Sequence, residues 1–427
     1  MSQALDFSPF EKHSKADWIE QVGQQLKGEN PLEKLAWKYD PEIGVAPIYF
    51  QEDCEVRRRG GTPNRESNFW RNLLYLKPTS IDNALIEIEQ LDKFCDGTLI
   101  DLSNVKKSEL PELSKLFHLK RDVSFINAPD DILTYINELP FEDCFGNLGF
   151  NPLKEEATIN EGYIDFILQT NSYHSAFNTD GTWYVENGAS ITQEVGATIG
   201  LLVEYIDQLS NAKIDLRKLV EHLEVTTSIT QDFFHEIAKI RAYRILIAKI
   251  LEEFSIQGEI RINVRTSGRY KSHLDPNNNL IRNTTEGMAA IIGGCDSLTI
   301  LPFENSNLMS KRTALNTSNL LKDETHLYRV VDPSNGSYYL DSLTRSIAEA
   351  AWNFFQEIER QGGYIKSKKS GWIDQQINSN RARLEEQAGA KKISLIGVNK
   401  HRKEGVIEAI DDNDFRLAKP FEREEAS

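Results

Sequence analysis

A short stretch near the middle of the chain, residues 259–265, carries side chains that can bind a polar ligand. Arg261, Asn263 and Arg265 alternate there with isoleucine and valine, and strict alternation is typical of a β-strand with two unlike faces. The guanidinium and amide groups share one face, where they can donate hydrogen bonds to an anion or a carbonyl oxygen. The spacing therefore predicts a polar surface on one side of this strand.

Two other predicted strands, at residues 225–230 and 297–301, alternate in the same way and place small hydroxyl groups on one face. These residues are Thr226, Ser228, Thr230, Ser297 and Thr299. An ordinary (β/α)8 barrel is filled with Val, Ile and Leu, so a barrel lined by hydroxyl groups would keep a bore for a long, thin, polar ligand. An open sheet with one face in water would show the same pattern.

These polar residues need a scaffold of alternating strands and helices. The strand at 259–265, a helix at about 280–292 and the strand at 297–301 form one βαβ unit with parallel strands. Similar alternation up to about residue 400 indicates an α/β fold, and we predict a (β/α)8 TIM barrel. The eight strand candidates are residues 99–102, 123–126, 147–150, 183–186, 225–230, 259–265, 297–301 and 327–331. Other predicted helices span residues 81–93, 129–137, 193–209 and 233–253.

The chain is predicted to divide into three parts. Residues 1–72 form an N-terminal arm and loop for subunit contact, with an amphipathic helix at 14–26 whose apolar side needs a covering surface. Residues 73–400 form the barrel, and residues 401–427 form a charged tail or truncated linker.

Three consecutive arginines, Arg57, Arg58 and Arg59, precede a Gly-Gly-Thr-Pro turn. Guanidinium groups beside a glycine turn can hold a phosphate. A solvated loop is the alternative interpretation of the same residues.

Composition narrows the possible partners and compartments. The formal net charge of -16 argues against nucleic acid and anionic membranes as main partners. The four cysteines are far apart and form no CxxC motif, so we expect neither disulfides nor a metal site. We expect a cytoplasmic protein, because the sequence contains neither a membrane-spanning run nor a secretion signal.

A series of motifs starts where the strand at 259–265 ends. They are Arg265-Thr266-Ser267-Gly268, Asp275-Pro276 with Asn278-Asn279, and Glu286-Gly287-Met288-Ala289-Ala290 with Gly293-Gly294. These motifs closely resemble the acyl-CoA mutases that use adenosylcobalamin, above all methylmalonyl-CoA mutase. The resemblance implies a (β/α)8 barrel whose small polar side chains surround a threaded acyl-CoA chain, and an N-terminal arm that wraps a partner subunit.

The chain departs from that family pattern at the positions that meet the substrate. Where active mutases have a Tyr-His pair, this chain has Ser190-Ile191, directly before Thr192-Gln193-Glu194. The resemblance gives that histidine a hydrogen bond to the thioester carbonyl, which Ile191 cannot make, and Ser190 cannot replace an aromatic wall. The family's Arg-Asn-Thr-Gln is replaced by Leu315-Asn316-Thr317-Ser318. We therefore expect no catalytic residue in this chain.

Three residues remain candidates for vestigial acyl-CoA contacts: Arg265, Ser267 and Gln193. The alternative for Arg265 and Ser267 is that they end the strand and bond to neighbouring backbone. The alternative for Gln193 is a role in starting a helix.

The resemblance also implies a flavodoxin-like domain whose Asp-x-His-x-x-Gly motif supplies a histidine to cobalt. None of the eight histidines occurs in such a motif, so we expect no cobalamin domain and no bound cofactor in this chain. Adenosylcobalamin would enter the assembled enzyme through the partner.

The resemblance and these departures together predict the β (small) subunit of a heterodimeric methylmalonyl-CoA mutase, paired with a catalytic α subunit. One alternative is a barrel subunit of another acyl-CoA mutase that binds acyl-CoA and uses a separate cobalamin-binding chain. A second alternative is a stand-alone acyl-CoA binding module.

Overall fold

Eight parallel strands surrounded by helices form a nearly closed barrel in the computed structural model of the chain. The predicted (β/α)8 fold is therefore confirmed. The structure describes residues 13–38, 40–53, 65, 67–117, 119, 122–129, 132–136, 146–154, 157–169, 174–212, 214–304, 307–402 and 416–421.

The strands follow one another around the barrel in chain order. A short antiparallel pair, β1 (Trp37–Lys38) and β2 (Gly44–Val45), precedes them. The barrel strands are β3 (Arg71–Leu76), β4 (Gly97–Asp101), β5 (Asp122–Ile126), β6 (Gly146–Phe150), β7 (His174–Asp180), β8 (Leu223–Ile229), β9 (Arg261–Thr266) and β10 (Ser297–Thr299). Their hydrogen-bonded order is β5-β4-β3-β10-β9-β8-β7-β6, so β10 returns to β3 as a barrel requires.

Helices follow the strands and form the outer layer. In chain order the described helices are α1 (Lys15–Gln25), α2 (Pro31–Lys34), α3 (Ile81–Leu91), α4 (Ser114–Phe117), α5 (Leu133–Ile136), α6 (Glu161–Gln169), α7 (Thr182–Glu186), α8 (Ile191–Asn211), α9 (Leu216–Glu221), α10 (Phe233–Glu253), α11 (Pro276–Gly293), α12 (Leu308–Asn319), α13 (Tyr338–Arg360), α14 (Tyr364–Lys369) and α15 (Trp372–Gly389). None of them is both long and apolar enough to cross a membrane.

The barrel closes between β5 and β6, the two ends of the hydrogen-bonded order. The backbone N–H of Asn147 donates to Ser124 Oγ at 3.1 Å across this seam. Gly149 has a φ of +71°, and a Cβ there would collide with the carbonyl oxygen of Phe125. Only glycine allows both this conformation and this approach, so the residue type sets how tightly the barrel closes.

Two of the eight predicted strands are wrong. Residues 183–186 belong to α7, because the Asp180 carboxylate accepts the backbone N–H of Thr182 at 2.8 Å and starts a helical turn. Residues 327–331 contain a 3-10 turn, Leu327–Arg329, which follows His326 in the left-handed region at a φ of +56°. Aromatic and β-branched side chains favour strands, but local hydrogen bonding decides these two segments.

The two strands that the sequence interpretation missed are β3 and β7. The short apolar run of β3 cannot be told from a buried helix by periodicity alone. The polar residues of β7 hide a buried strand in which Ala176 and Phe177 are fully covered. Tertiary burial therefore overrides the local signal.

Two flanking segments pack onto the barrel. Asp40 of the arm accepts a hydrogen bond from Thr192 Oγ1 of α8 at 3.2 Å. In the described part of the C-terminal region, Leu417, Ala418 and Phe421 are buried in a small apolar cluster with Tyr270. The predicted phosphate loop, Arg57 to Pro63, lies outside the described residues.

Candidate functional site

The N-terminal half of the barrel interior is held together by Glu224 of β8. Glu224 Oε1 accepts from Arg261 Nη2 at 2.6 Å and from Ser175 Oγ at 2.8 Å. Glu224 Oε2 accepts from Asn147 Nδ2 at 2.8 Å and from Asn263 Nδ2 at 2.5 Å. One buried carboxylate thus links β8 to β6, β7 and β9 across the interior.

A second ion pair, Arg71 of β3 with Asp122 of β5, lies beside the first. Burial raises the pKa of Asp122, although Arg71 opposes this. Burial alone would also raise the pKa of Glu224, but the Arg261 and Arg71 guanidiniums hold it below its ordinary value. These four side chains, Arg71, Asp122, Glu224 and Arg261, are called the ionic plug below.

Little space remains in the bore. One interior cavity has a volume of ≈ 20 Å³, and a single water needs about 10–15 Å³ on this measure. Its polar lining residues are Ser124, Asn147, Asn178, Thr226, Asn263, Arg265, Ser297 and Thr299. Most of the polar lining predicted from the sequence is present, and several of its side chains bond to one another or to Glu224. Thr230 does not join this lining, because its hydroxyl donates to Glu236 of α10.

A larger cavity, called the mouth cavity below, lies at the C-terminal ends of β5, β6 and β7, where (β/α)8 enzymes bind their substrates. Its volume is ≈ 180 Å³. Its lining residues are Ile126, Asn127, Ala128, Pro129, Gly149, Phe150, Asn151, Tyr163, Asn178 and Asp180. The residues that line it include one carboxylate and three amides, and no lysine or arginine.

Ser190, Ile191 and Gln193 lie at the start of α8. Ser190 Oγ accepts the backbone N–H of Gln193 at 3.2 Å, and Gln193 Oε1 accepts the backbone N–H of Ser190 at 3.0 Å. This is a capping box, which satisfies two backbone donors at the helix start. Gln193 Nε2 also donates to the backbone oxygen of Gln376 at 3.0 Å. Ile191 is 6% exposed and packs in the main apolar core.

Arg265 and Ser267 lie at the end of β9 but face different surroundings. Arg265 lines the small interior cavity and donates from Nη2 to Thr182 Oγ1 at 3.0 Å. Ser267 Oγ accepts the backbone N–H of Arg269 at 3.1 Å. Arg265 is therefore the only one of the three candidate contact residues that lines either cavity as described here, and the acyl-CoA contacts remain predictions.

A buried charge triad behind β8 was not singled out from the sequence. Lys239 of α10 lies 3.0 Å from Glu194 of α8 and 2.7 Å from Glu236. Burial raises the pKa of Glu194, while for Lys239 the two carboxylates overcome burial and raise its pKa. The i, i+3 spacing of Glu236 and Lys239 within an apolar helix was the available signal. The triad ties α8 to α10 and contacts neither cavity lining.

A second buried pair joins the loop after β9 to α11. Lys271 Nζ lies 2.7 Å and 2.6 Å from the two carboxylate oxygens of Glu286, within one of the motifs noted above. Burial raises the pKa of Glu286 to about 7 and lowers that of Lys271. This pair positions the loop that carries Ser267, and neither residue lines the two cavities.

Residues 147–419 match a family model described as methylmalonyl-CoA mutase. The chain is 28% identical over 434 residues to the methylmalonyl-CoA mutase small subunit of Porphyromonas gingivalis, covering 92% of this chain and 70% of that protein. It is 34% identical over 336 residues to the corresponding small subunit of Streptomyces virginiae, covering 75% of this chain and 53% of that protein.

The chain is also similar to a larger protein from the first of these organisms. It is 28% identical over 296 residues to the methylmalonyl-CoA mutase large subunit of Porphyromonas gingivalis, covering 67% of this chain and 41% of that protein. The chain thus spans just over half of the Streptomyces relative and less than half of this large subunit.

Proposed function

The chain belongs to the methylmalonyl-CoA mutase family, and we propose that it is the small, or β, subunit of a heterodimeric mutase. The assembled enzyme would interconvert methylmalonyl-CoA and succinyl-CoA with adenosylcobalamin. A catalytic α subunit would supply the active site, and this chain would stabilise it. Two relatives named small subunits support the assignment, and the large-subunit relative in one of the same organisms supports a paired partner.

The filled bore is the observation that carries the non-catalytic role. Glu224 bonds to four side chains across the interior, and the interior cavity described above has a volume of only ≈ 20 Å³. A threaded acyl-CoA would have to break these bonds and leave Arg261 without its carboxylate partner. Breaking a buried ion pair costs roughly 3–5 kcal/mol, and we expect about 3 kcal/mol for this pair because the Arg261 side chain is 36% exposed.

The start of α8 also lacks a group for the reaction. The Ile191 side chain carries no polar atom, Ser190 Oγ and Gln193 Oε1 are used in the capping box, and Gln193 Nε2 donates to the backbone of Gln376. Stabilising a developing charge on a thioester oxygen needs donors aimed at that oxygen. Restoring a single residue, as in Ile191→His, should therefore not confer activity.

Neither of the two cavities described above fits adenosylcobalamin. None of the residues lining the mouth cavity is a histidine that could coordinate cobalt, and ≈ 180 Å³ is far too small for a corrin ring. No group of three or more His, Cys, Asp or Glu side chains in the described ranges could hold a metal ion. We therefore propose that the partner subunit holds the cofactor.

The arm offers a surface for that partner. Trp37 is 47% exposed and Leu35 is 43% exposed, and the Trp37 ring meets the edge of His235 at 5.5 Å between centroids. Phe234 lies next to His235 at the start of α10 and is also exposed. Large apolar side chains grouped at a surface favour a protein interface.

The experiment is affinity recovery of the tagged chain from its native cells, with identification of bound proteins by mass spectrometry. We expect a larger chain of the same family in equal amount. The purified chain alone, supplied with methylmalonyl-CoA and adenosylcobalamin, should show no turnover. Recovery of this chain alone at full yield, or turnover without a partner, would contradict the proposal.

A matched pair of variants tests the arm. Trp37→Ala should weaken the complex at least tenfold while leaving the fold of the isolated chain intact, because the side chain is half exposed. Leu168→Ala on α6 is the control, since Leu168 is 50% exposed but lies outside the arm. Equal effects of the two variants would remove the arm from the interface.

A further inference from the structure

The mouth cavity is a site in its own right, separate from the filled bore. It shares only Ile126 and Asn178 with the smaller interior cavity. A cavity of about 150 Å³ can hold a benzene-sized ligand, and drug-sized ligands occupy roughly 300–1,000 Å³. At ≈ 180 Å³ the mouth cavity therefore suits a molecule of about six to eight non-hydrogen atoms.

The fold brings the polar groups of this cavity together from three strands. Asn178 and Asp180 are two residues apart on β7, so their side chains lie on the same face. Asn127 follows β5 and Asn151 follows β6 directly. The close approach at Gly149 draws the ends of β5 and β6 together and sets these two amides on one rim.

Each of these side chains has one polar atom bonded to the protein and a second polar atom that no described residue bonds. Asn151 Oδ1 accepts from the Tyr205 hydroxyl at 2.9 Å, which leaves its NH₂ group as a donor. Asn178 Oδ1 accepts from Thr226 Oγ1 at 2.7 Å, so the NH₂ group of Asn178 can also donate to a ligand.

The acceptors are arranged in the same manner. Asp180 Oδ1 accepts from the backbone N–H and the hydroxyl of Thr182 at 2.8 Å and 2.6 Å, which leaves Oδ2 as an acceptor. Asn127 Nδ2 donates to Asp101 at 2.9 Å, so its own carbonyl oxygen can accept a further bond. The cavity therefore offers two donors and two acceptors whose orientations are fixed by second partners.

The remaining wall is apolar. The ring centroids of Phe150 and Tyr163 lie 4.9 Å apart, and Ile126, Ala128, Pro129 and Gly149 complete the lining. Such a wall can pack against C–H groups while the opposite rim takes hydroxyl groups.

We propose that the mouth cavity binds a small neutral polyol of three or four carbons. A hydroxyl group both donates and accepts, so it can satisfy Asp180 and Asn127 as well as Asn151 and Asn178. An ammonium group has no acceptor for the two amide NH₂ groups. A carboxylate or acyl-CoA phosphate would meet Asp180 with no cation in the lining. The site is a property of this chain alone and does not depend on the proposed subunit role.

The test is titration of the purified full chain with erythritol, with binding measured by isothermal titration calorimetry and by ligand-observed NMR. Saturable binding at millimolar concentration is expected, with at least tenfold weaker binding of 1,4-diaminobutane and succinate. Ala128→Phe, which fills the cavity from its edge, should reduce erythritol affinity at least tenfold. Asn178→Leu should do the same by removing a donor.

Asp323→Ala, at an exposed position outside the cavity, is the control and should leave the affinity unchanged. Thermal unfolding shows whether each variant is folded. If one of the two cavity variants, Ala128→Phe or Asn178→Leu, fails to fold, the erythritol affinity of the other tests the proposal. Three results would each overturn the proposal: no saturable binding of erythritol, tighter binding of the diamine or the dicarboxylate, or unchanged affinity in a folded cavity variant.

Discussion

The N-terminal and C-terminal halves of the barrel interior contain similar residue types but use them differently. In the N-terminal half, the ionic plug and its amide partners satisfy one another, as the four bonds to Glu224 show. In the C-terminal half, Asn151, Asn178 and Asp180 each keep one polar atom available beside an open cavity. A polar interior therefore indicates neither a ligand site nor a filled core until the pairing of its groups is known.

The largest effect should follow from removing the centre of the ionic plug. Glu224→Ala removes the carboxylate acceptor of Arg261, Asn147 and Asn263, and breaking a buried pair costs about 3–5 kcal/mol. Arg261 is 36% exposed in its side chain, so water offsets part of this cost, and we expect about 3 kcal/mol. Urea unfolding of the variant and the wild type measures this loss in the free energy of unfolding. Glu224→Gln keeps the shape and should cost less, and a loss below about 1 kcal/mol for Glu224→Ala would show that the plug does not hold the barrel.

The second largest loss of stability should follow from a change at the seam between β5 and β6. Gly149→Ala places a methyl group against the carbonyl of Phe125 at a positive φ, which should cost about 2 kcal/mol in the free energy of unfolding. Gly389→Ala is the control, because its Cβ would meet nothing within 4 Å, and it should be neutral or slightly stabilising. Equal unfolding free energies for the two variants would mean that the seam relaxes freely.

A smaller loss of stability should follow from acidification, which neutralises Glu224 in the N-terminal half. The pKa of Glu224 is lowered in the folded state, so its contribution to stability is present above its ordinary pKa of 4.5 and is lost as pH falls through the lowered value. The stability difference between wild type and Glu224→Gln should therefore shrink on acidification below that pH. A difference that stays constant with pH would show that the charge of Glu224 does not stabilise the fold.

The smallest loss in the free energy of unfolding is expected for a change in the lining of the mouth cavity. Asn151→Ala removes one acceptor from the Tyr205 hydroxyl and should cost about 1 kcal/mol. Chemical unfolding under the conditions used for Glu224→Ala allows direct comparison. If this variant costs as much as Glu224→Ala, the two halves are cross-linked to the same degree and the contrast between them fails.

Some features could be predicted because they depend on neighbours in the chain. The bounds of α10 agree with the predicted helix at 233–253, and β9 lies within two residues of its prediction, because periodicity and helix caps are local signals. The prediction that Ser190 and Ile191 stand in place of a Tyr-His pair likewise comes from the sequence alone. The capping role of Gln193, kept as an alternative to ligand contact, also follows a local pattern.

Other features depend on residues far apart in the chain. Asn147 and Glu224 are 77 positions apart, and no local pattern indicates that they meet. The strand β7 carries polar residues whose burial depends on the closure of the barrel. For the same reason the mouth cavity, which draws on three separate strand ends, could not be assembled from the sequence.

The sequence by itself determined the family and the barrel, because motifs and the alternation of apolar and polar residues are visible in consecutive residues. Only the tertiary structure decided whether the polar interior is open or filled, since that depends on which donors and acceptors meet across the barrel. Near the N-terminal ends of the strands they meet and close the bore, whereas at the C-terminal ends they remain apart and leave a cavity.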